Sequence, residues 1–470
     1  MNLLGIDVGT TSVKAGVFDE NGNLIRLCQE DYILMNNGSF IEFEAEEYFN
    51  IVKRVITEVS QGLFIDALSV DSQGETLILC DSKGNPLRRA IVWLDNRAEN
   101  EAQELKKEFG EKTVYELTGQ PEITSGWPAC KLLWIKRNEP DVWEKTRKVF
   151  LLEDFILFRL SGEFVSEKTL QSSAMYFNIN TCTWWNEMLS YIGIPIEYLP
   201  TVLNPGELVG YYGKTAVVTG SLDQIAGAIG AGVIKEGIIS EMTGSTMAIV
   251  VPTENMAPYN PNSKIPFHLS ATGKILLMWT PTAGLALKWF KNNFCDNTSF
   301  SELDEHAKGI PMGSEGLMML PFLCGSTMPL YNPDASGVFY GINLKHTRIH
   351  FYRAILESVA YMLKSDLDYL NLKNLEEIRV MGGGASSSLW CQIKADMTGK
   401  KLVTLKNNET ACLGSAILAG IGIGVYSSLE AACTKVVKTD KIYLPSGENY
   451  NLICERYKKL ENLILFGGII

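Results

Sequence analysis

The first candidate for chemistry is a short polar turn near the start of the chain, Gly9-Thr10-Thr11-Ser12. It follows Asp7, precedes Lys14 and lies between two apolar runs. A glycine there lets backbone N–H groups approach a ligand, and hydroxyl and ammonium groups are donors that suit phosphate oxygens. Asp7, at a strand end, is placed to hold a hydrated Mg²⁺ ion. For this turn alone, an ordinary hairpin is the better interpretation.

A similar turn, Gly244-Ser245-Thr246, occurs 235 residues further along, which is half the length of the chain. It too separates two apolar runs, within residues 237–259. A repeat at half-length predicts two related domains that each begin with the same hairpin. Because the matching segment is short, two unrelated hairpins could also be similar by chance. Two hairpins facing each other across a cleft can bind both ends of a triphosphate. The second copy therefore favours phosphate binding.

A third glycine-rich turn, Gly382-Gly383-Gly384-Ala385, lies between a predicted strand and a predicted helix. Glycines leave room for a flat ring or a phosphate against bare backbone, and the serines at 386–388 can cap the helix. An ordinary strand-to-helix turn usually needs one glycine. Three in succession favour a binding turn.

Asp223 comes just after a predicted strand and a glycine turn, at the start of a helix of small residues. A carboxylate at a helix N-terminus is stabilised as the anion. It is either a simple helix cap or a general base, and the second role needs a substrate hydroxyl within hydrogen-bond reach.

Two polar clusters lie close together in the sequence, over residues 71–81 and 91–99. Their position in loops does not by itself distinguish a binding site from solvated loops, but two such clusters slightly favour a site. The residues that could line a sugar pocket are Gln73, Glu75, Asp95 and Arg97, with Trp93 as an apolar platform.

The elements that must position these residues follow from the apolar periodicity. Strands are predicted over 3–8, 13–18 and 23–28 as an antiparallel meander, and helices over 45–60, 130–137 and 151–160. Strand, polar loop and strand are predicted over 65–81, and strand, turn and helix over 215–233. The length exceeds what one core usually supports, so we expect two α/β domains, residues 1–235 and 236–470.

Composition limits the kind of partner. The net charge of −12 over 470 residues argues against a nucleic acid or an anionic membrane, since both reward a basic surface. No run of 18 apolar residues predicts a membrane-spanning helix. The ten cysteines form no CxxC pair and the four histidines lack ligand spacing, so we expect reduced thiols, no zinc site and a cytoplasmic location.

Two longer segments carry a family resemblance. The stretch GWPACKLLWIKRN, residues 126–138, has Lys131, Trp134 and Asn138 at matching positions. The stretch GVFYGINLKHTRIHFYRAILE covers residues 337–357 and matches a second signature. In both segments the chain resembles the FGGY carbohydrate kinase family. The resemblance implies two actin-like (ribonuclease-H-like) α/β domains with a cleft between them, the first binding sugar and the second binding nucleotide.

The resemblance also implies roles for single residues. Asp223 is implied as the catalytic base, which would take a proton from a sugar hydroxyl, and Asp7 and Asp223 as the carboxylates near Mg²⁺. The residues expected to bind ATP are Thr10, Thr11, Ser12, Lys14, Gly244, Ser245, Gly284, Gly383, Gly384, Ala385 and Ser388. The residues expected to bind the sugar are Gln73, Glu75, Trp93, Asp95, Arg97, Trp127, Asp223 and Gln224.

The implied function is ATP-dependent phosphorylation of a hydroxyl of a ketopentose (xylulose-like) or a polyol. The resemblance does not single out a sugar. Glycerol kinases carry Arg-Glu where this chain has Gly74-Glu75, whereas Asp223-Gln224 is similar to their pair. The missing side chain at Gly74 predicts extra room and a substrate larger than glycerol. The alternatives are glycerol or erythritol kinase-like activity and a non-kinase actin-like ATPase, which needs no sugar pocket. A small molecule is the expected partner, and a homodimer is left open.

Overall fold

The computed structural model describes residues 1–295 and 298–467, and its strands and helices are numbered here along the chain. The strands are β1 (Asn2–Val8), β2 (Ser12–Asp19), β3 (Leu24–Asp31), β4 (Met35–Asn37), β5 (Phe40–Phe43), β6 (Ala67–Ser72), β7 (Leu77–Cys80), β8 (Ala90–Ile91), β9 (Lys148–Leu151), β10 (Val165–Glu167), β11 (Phe177–Asn178), β12 (Thr183–Trp184), β13 (Thr201–Leu203), β14 (Leu208–Tyr212), β15 (Thr215–Leu222), β16 (Ile238–Thr243), β17 (Met247–Thr253), β18 (Phe267–Leu269), β19 (Lys274–Thr280), β20 (Met318–Leu320), β21 (Val338–Tyr340), β22 (Glu377–Met381), β23 (Lys401–Leu405) and β24 (Thr439–Tyr443).

The α-helices are α1 (Ala45–Val59), α2 (Glu99–Phe109), α3 (Glu111–Thr118), α4 (Pro128–Asn138), α5 (Pro140–Lys145), α6 (Leu152–Ser161), α7 (Lys168–Gln171), α8 (Asn186–Ile192), α9 (Asp223–Gly230), α10 (Gly284–Phe294), α11 (Phe300–Ala307), α12 (Arg348–Leu370), α13 (Ser388–Thr398), α14 (Thr410–Gly422), α15 (Leu429–Val436) and α16 (Asn451–Phe466). Short 3₁₀ helices cover Ile196–Tyr198, Ser314–Gly316 and Gly383–Ser386. None of the helices in the described ranges is both long and apolar enough to cross a bilayer.

The first large sheet has six strands in the order β14-β15-β6-β1-β2-β3. Strands β15, β6 and β1 run parallel, and β1, β2 and β3 form the antiparallel meander predicted from the sequence. The side chains of β1 alternate between two layers, because successive residues of a strand point to opposite faces. Ile6 packs in the cluster that contains α1, whereas Leu3 packs in the cluster that contains α14. Asp7 shares the face of Leu3 and therefore lies on the side of α14.

The second large sheet has the order β18-β19-β17-β16-β22-β23-β24. Its topology repeats that of the first sheet: a hairpin (β16, β17) whose first strand pairs in parallel with β22, which pairs in parallel with β23. Both sheets add an antiparallel strand beyond the hairpin and another at the opposite edge. The two polar turns singled out from the sequence are thus the tips of corresponding hairpins.

Helices α9 and α14 join the halves, and glycines bring them close together. A Cβ atom at Gly230 would lie 1.8 Å from the Thr410 carbonyl oxygen, and one at Gly414 would lie 1.9 Å from the Ala226 carbonyl oxygen. At Gly5 of β1, a Cβ atom would lie 1.7 Å from the Cys412 carbonyl oxygen. Only glycine permits these approaches. The crossing places the start of α14 beside the carboxyl end of β1.

The main departure from the predicted elements is at residues 215–233. The predicted turn before Asp223 is instead an irregularity within β15, whose pairing with β6 shifts register between Val218 and Ser221. A Cβ atom at Gly220 would lie 1.8 Å from the Val70 carbonyl oxygen, so this glycine serves a close strand approach. Strand β15 continues to Leu222, and α9 begins directly at Asp223.

Candidate active site

A row of polar side chains crosses the first sheet near its carboxyl edge. Lys14 of β2 pairs with Asp7 of β1, and Asp7 pairs with Asp71 of β6. Partners in register point to the same face, so the ammonium group and the two carboxyl groups are neighbours. Helix α14 closes the row: Ser415 Oγ donates to Asp71 Oδ2 at 2.6 Å, and Lys14 Nζ lies 3.0 Å from Glu409 Oε2.

The two carboxyl groups of this row differ in their protonation. Burial raises the pKa of Asp71 well above its usual range, and the negative charge of Asp7 raises it further. Asp71 is therefore the member of the pair that holds a proton more strongly. Burial also raises the pKa of Asp7, and the charge of Lys14 and the neighbouring Asp71 oppose part of that rise. Asp7 is the member that ionises first.

Asp223 lies at the N-terminus of α9, close to this row. Burial raises its pKa to about 7, with a further contribution from the charge of Asp7. The backbone N–H of Gln224 donates to Asp223 Oδ1 at 2.6 Å. A carboxyl group with a pKa near neutrality is well matched to general base catalysis. The charge of Asp223 also raises the pKa of Glu75, so Asp223 lies between the Asp7 row and the loop that carries Glu75.

The first hairpin tip is held by its own backbone and by two tyrosines. The Gly9 N–H donates to the Ser12 carbonyl at 3.1 Å, and the hydroxyls of Tyr32 and Tyr48 donate to the Gly9 carbonyl at 2.6 and 2.9 Å. Thr11 is exposed and Ser12 is half-buried at the tip. These contacts fix the backbone at the mouth of the cleft, next to Lys14.

Thr10 links this hairpin to the two polar clusters. Its hydroxyl donates to Gln73 Oε1 at 2.9 Å and accepts from Trp93 Nε1 at 3.0 Å. The hydroxyl hydrogen of Thr10 is thus already used within the protein. The Thr10 side chain therefore connects the first hairpin to the two polar clusters at 71–81 and 91–99.

The second hairpin tip packs against the start of α10. The N–H groups of Ala283 and Leu285 both donate to the Ser245 carbonyl at 3.0 Å. A Cβ atom at Gly284 would lie 2.2 Å from the Gly244 carbonyl oxygen, so the contact requires glycine. Nothing lies within 4 Å of a Cβ atom built at Gly244. The tip therefore packs against the start of α10 on one side, and the space next to Gly244 is open on the other.

A buried ion pair supports this tip from below. Lys394 Nζ donates to Glu241 Oε2 at 2.8 Å and to Thr243 Oγ1 at 2.9 Å, and both charged side chains are fully buried. A Cβ atom at Gly384 would lie 2.7 Å from Thr243 Cβ. The pair thus fixes Thr243 against both the phosphate turn and the triple-glycine turn.

A cavity of about 430 Å³ lies between these two turns. Among the predicted nucleotide residues, Gly244, Ser245, Gly284, Gly383 and Gly384 line it. Ala385 and Ser388 are not among the lining residues, and Ser388 Oγ instead accepts from the Tyr443 hydroxyl at 3.1 Å. Further lining residues are Thr243, Leu287, Lys288, Phe300, Ser301, Asp304, Tyr352, Ser386, Ser387 and Trp390.

The sequence analysis did not single out most of these further lining residues, although the position of Lys288 in the sequence could have indicated it. Lys288 lies one helical turn after Gly284 and so shares its face of α10. No sequence pattern indicated Asp304, because it lies on α11, far in sequence from the glycine-rich turns. It accepts from Ser387 Oγ at 2.6 Å and from the Tyr352 hydroxyl at 2.7 Å, which joins three separate segments.

A second cavity, of about 460 Å³, is lined in part by Glu75. It is lined by residues from both halves, and Lys264 and Glu122 form an ion pair of 2.7 Å between the halves at its wall. The lining residues are Glu75, Trp93, Leu94, Asn96, Gln120, Pro121, Glu122, Thr124, Gly126, Trp127, Lys264, Pro266, His268, Leu277 and Met328. Of the residues expected to bind the sugar, Glu75, Trp93 and Trp127 line this cavity.

Asp95 and Arg97 lie behind the cavity wall. Arg97 Nη2 lies 2.7 Å from Asp95 Oδ2, and the Ile41 N–H donates to the same oxygen at 2.6 Å. The guanidinium group stacks on Phe40 with 4.1 Å to the ring centroid. This buried pair holds the turn that presents Trp93 and Asn96 to the cavity. Gln73 also lies behind the wall, in its hydrogen bond with Thr10.

The expectation of extra room at Gly74 is wrong. A Cβ atom there would lie 2.9 Å from Ser173 Oγ and 3.0 Å from Leu222 Cδ1, so other side chains fill the space. The neighbouring Glu75 has a φ of 57°, in the left-handed region that non-glycine residues rarely adopt. The absence of a side chain at Gly74 therefore says nothing about substrate size.

Lys131, from the first signature segment, supports both sugar-side loops. Its Nζ donates to the Glu75 carbonyl at 3.0 Å and to the Val92 carbonyl at 2.9 Å. Burial lowers the pKa of Lys131 to about 7, and burial raises the pKa of Glu75 to about 8. The signature lysine thus positions the cavity wall rather than lining it.

Comparison with known proteins places this geometry in a family. The models of the N-terminal and C-terminal domains of the FGGY family of carbohydrate kinases match residues 2–232 and 269–423. A xylulose kinase of Staphylococcus epidermidis is 29% identical over 98% of this chain and 95% of its own length. A gluconokinase of Bacillus subtilis is also 29% identical, over 93% of this chain and 90% of its own.

A solved structure shows the same fold. The crystal structure of gluconate kinase from Lactobacillus acidophilus superimposes with a TM-score of 0.90 at 24% identity, covering 99% of this chain and 98% of that one. The two-domain α/β architecture expected from the sequence is confirmed. The chain belongs to the FGGY family of carbohydrate kinases, which transfer a phosphoryl group from ATP to a sugar or polyol.

Proposed function

We propose that this kinase phosphorylates a ketopentose or a polyol, with Asp223 as the general base. The observation that carries the proposal is the position of Asp223. Asp223 interacts electrostatically both with Glu75, which lines the cavity of about 460 Å³ together with Trp93 and Trp127, and with Asp7 of the row that contains Lys14. A hydroxyl group bound in that cavity and a phosphate held at the hairpin tips would meet beside this carboxylate.

ATP fits the other side of the cleft. The cavity of about 430 Å³ is bounded by backbone at Gly383 and Gly384, against which a flat base could lie. Its open end is the turn at Gly244 and Ser245, where the Gly244 N–H donates to the Thr246 carbonyl and the Ser245 N–H and hydroxyl suit phosphate oxygens. Thr11, Ser12 and Lys14 offer the facing donors. The hydroxyl of Thr10 has the different task of positioning Trp93.

The chemistry follows from these placements. The ionised form of Asp223 accepts the proton of the attacking sugar hydroxyl. With a pKa of about 7, this form is available near neutral pH. Lys14 and the hairpin N–H groups offset the negative charge on the transferring phosphoryl group. Closure of the cleft would exclude water and suppress ATP hydrolysis without sugar.

The donor set at Asp7 fits a magnesium ion bound mainly by water and phosphate. The described ranges bring no three acidic, histidine or cysteine side chains together as a metal site. Mg²⁺ in kinases commonly uses one or two carboxylates together with substrate phosphates and water. Asp7 ionises before Asp71, and Asp71 Oδ1 has no hydrogen-bond partner in the described residues. Asp7 and Asp223 are the side chains proposed to hold the ion, which would neutralise charge on the phosphates.

We further propose a domain boundary near residues 235 and 236, because each of the two large sheets lies entirely on one side of it. A cytoplasmic location is proposed from the cysteines, no two of which form a disulfide in the described ranges. Light scattering of the purified protein will decide whether it forms the homodimer considered from the sequence.

The test is product formation with a matched variant pair. ADP release is measured with ketopentoses, pentitols, tetritols and glycerol, and the phosphorylated product is identified by NMR. Asp223→Asn removes the base and should lower kcat by at least about 100-fold, the lower range for losing a general base. Asp440→Asn makes the same change on an exposed strand and should leave kcat within about twofold. Near-native kcat in Asp223→Asn would exclude the proposed base.

A further inference from the structure

The sugar cavity contains a buried amide oxygen with nothing bound to it. Gln120 is fully buried and lines the cavity. Its Nε2 donates to the Ser172 carbonyl at 3.0 Å, whereas its Oε1 has no hydrogen-bond partner among the described residues. The bond to Ser172 fixes which amide atom is nitrogen, because a carbonyl needs a donor. A buried acceptor without a donor costs free energy unless a ligand or a water molecule donates to it.

His268 adds a second acceptor to the same cavity. Its Nδ1 lies 3.3 Å from Ser172 Oγ. The hydroxyl hydrogen of Ser172 is donated to the Thr169 carbonyl, so Oγ can only accept and Nδ1 must carry a hydrogen. Burial lowers the pKa of His268 to about 4, so the ring is neutral at pH 7. Nε2 is then an acceptor, and no hydrogen bond of the described residues uses it.

The charged side chains around the cavity also favour an uncharged ligand. Lys264 is the single cation that lines it within the described ranges, and its ammonium group already pairs with Glu122 at 2.7 Å. Glu122 adds a further carboxylate to the wall, whereas Glu75, with its pKa raised to about 8 by burial, is mostly a neutral carboxyl group at pH 7. A carboxylate placed here would bring lone pairs against acceptors, whereas a hydroxyl group would donate to them.

We infer that Gln120 Oε1 and His268 Nε2 each accept a hydrogen bond from a substrate hydroxyl, and that they select an uncharged ketose or polyol over the corresponding sugar acid. This inference rests on the proposed function, since it assigns the specificity of the same cavity. It names two residues outside the loops that the sequence analysis associated with the sugar.

The experiment uses two replacements of one histidine. Asparagine at position 268 retains an N–H near the place of Nδ1 and loses the Nε2 acceptor, whereas glutamine can place an oxygen near Nε2. His268→Asn should lower kcat/KM for the accepted sugar about tenfold, and His268→Gln should recover most of that loss. Gln120→Met, of similar length without an acceptor, should also lower it about tenfold. His306→Asn makes the same change at an exposed position and serves as the control.

Deoxy sugars distinguish a direct contact with the substrate from a structural role of the two residues. For each deoxy analogue of the accepted sugar, the effect of His268→Asn is measured again. One analogue should abolish the tenfold effect, because the hydroxyl that donates to Nε2 is missing, and a different one should do so for Gln120→Met. Equal losses on every analogue would mean a structural role and would overturn the assignment.

Sugar acids of matched length test the substrate class. Uncharged sugars should exceed them at least tenfold in kcat/KM, and a preference for the acids would overturn the inference but leave the kinase intact. Binding is measured in parallel from the fluorescence of Trp93 and Trp127, which line the cavity. Tight binding of an uncharged sugar without ADP release would refute the proposed function and support the inference. Binding of neither class would overturn the inference.

Discussion

The buried ion pair of Lys394 and Glu241 gives a quantitative prediction about the nucleotide side. Both side chains are fully buried, their charged atoms are 2.8 Å apart, and Lys394 also holds Thr243 beside the phosphate turn. Lys394→Met removes one partner and leaves an uncompensated charge in the interior. Such a change typically costs about 3–5 kcal/mol, a large part of the stability of a domain.

Urea unfolding at pH 7 measures the loss in the free energy of unfolding, and steady-state kinetics measure the effect on the KM for ATP. Adding Glu241→Gln to Lys394→Met removes the remaining charge, so the double variant should regain at least about 1 kcal/mol relative to Lys394→Met. The KM for ATP should rise in the single variant, because Thr243 loses the donor that fixes it. The KM for the sugar should change little.

A matched control exists on the surface. Lys112 and Glu116 are 3.7 Å apart with exposed side chains. Lys112→Met should cost less than about 1 kcal/mol, as exposed ion pairs contribute little. If Lys394→Met were no more destabilising than Lys112→Met, or if the double variant were less stable than Lys394→Met, the assigned role of the pair would be refuted.

Two further predictions concern the turns of the cleft. Gly284→Ala places a Cβ atom 2.2 Å from the Gly244 carbonyl oxygen, so the turn at Gly244 and Ser245 must move, and the KM for ATP should rise at least about tenfold in steady-state kinetics. The control Gly273→Ala places its Cβ atom 3.7 Å from the nearest neighbour, the Thr253 carbonyl oxygen, and should leave the KM for ATP unchanged. Lys131→Met removes the donor that joins the Glu75 and Val92 carbonyls, so the KM for the sugar should rise severalfold with little change in the KM for ATP, and an equal rise in both constants would count against this role.

The hairpins could be predicted from sequence because their information is local. The meander, the hairpin tips and the start of α9 depend on apolar runs, glycines and a helix-start carboxylate within a few residues. Asp7, Lys14 and Asp223 were found this way. The structure brings them together because parallel pairing of β1, β6 and β15 aligns the carboxyl ends of these strands.

The cavity walls could not be predicted, because they join residues that are distant in sequence. Gln120 and His268 reach the same cavity only through their shared contact with Ser172. Asp95 and Arg97 are polar and close to the cavity in sequence and in space, but their side chains pair with each other behind its wall. Gly74 shows that an absent side chain creates no space where neighbours fill it.

The pH dependence of kcat/KM for the sugar tests the central claim most directly. Asp223 must be ionised to accept the proton, and its pKa is raised to about 7 by burial and by Asp7. The profile should therefore fall about tenfold per pH unit below 7 and level off above it. In Asp7→Asn, which removes a neighbouring negative charge, the midpoint should move to lower pH. A flat profile between pH 5.5 and 8, or a midpoint unmoved in Asp7→Asn, would contradict the account.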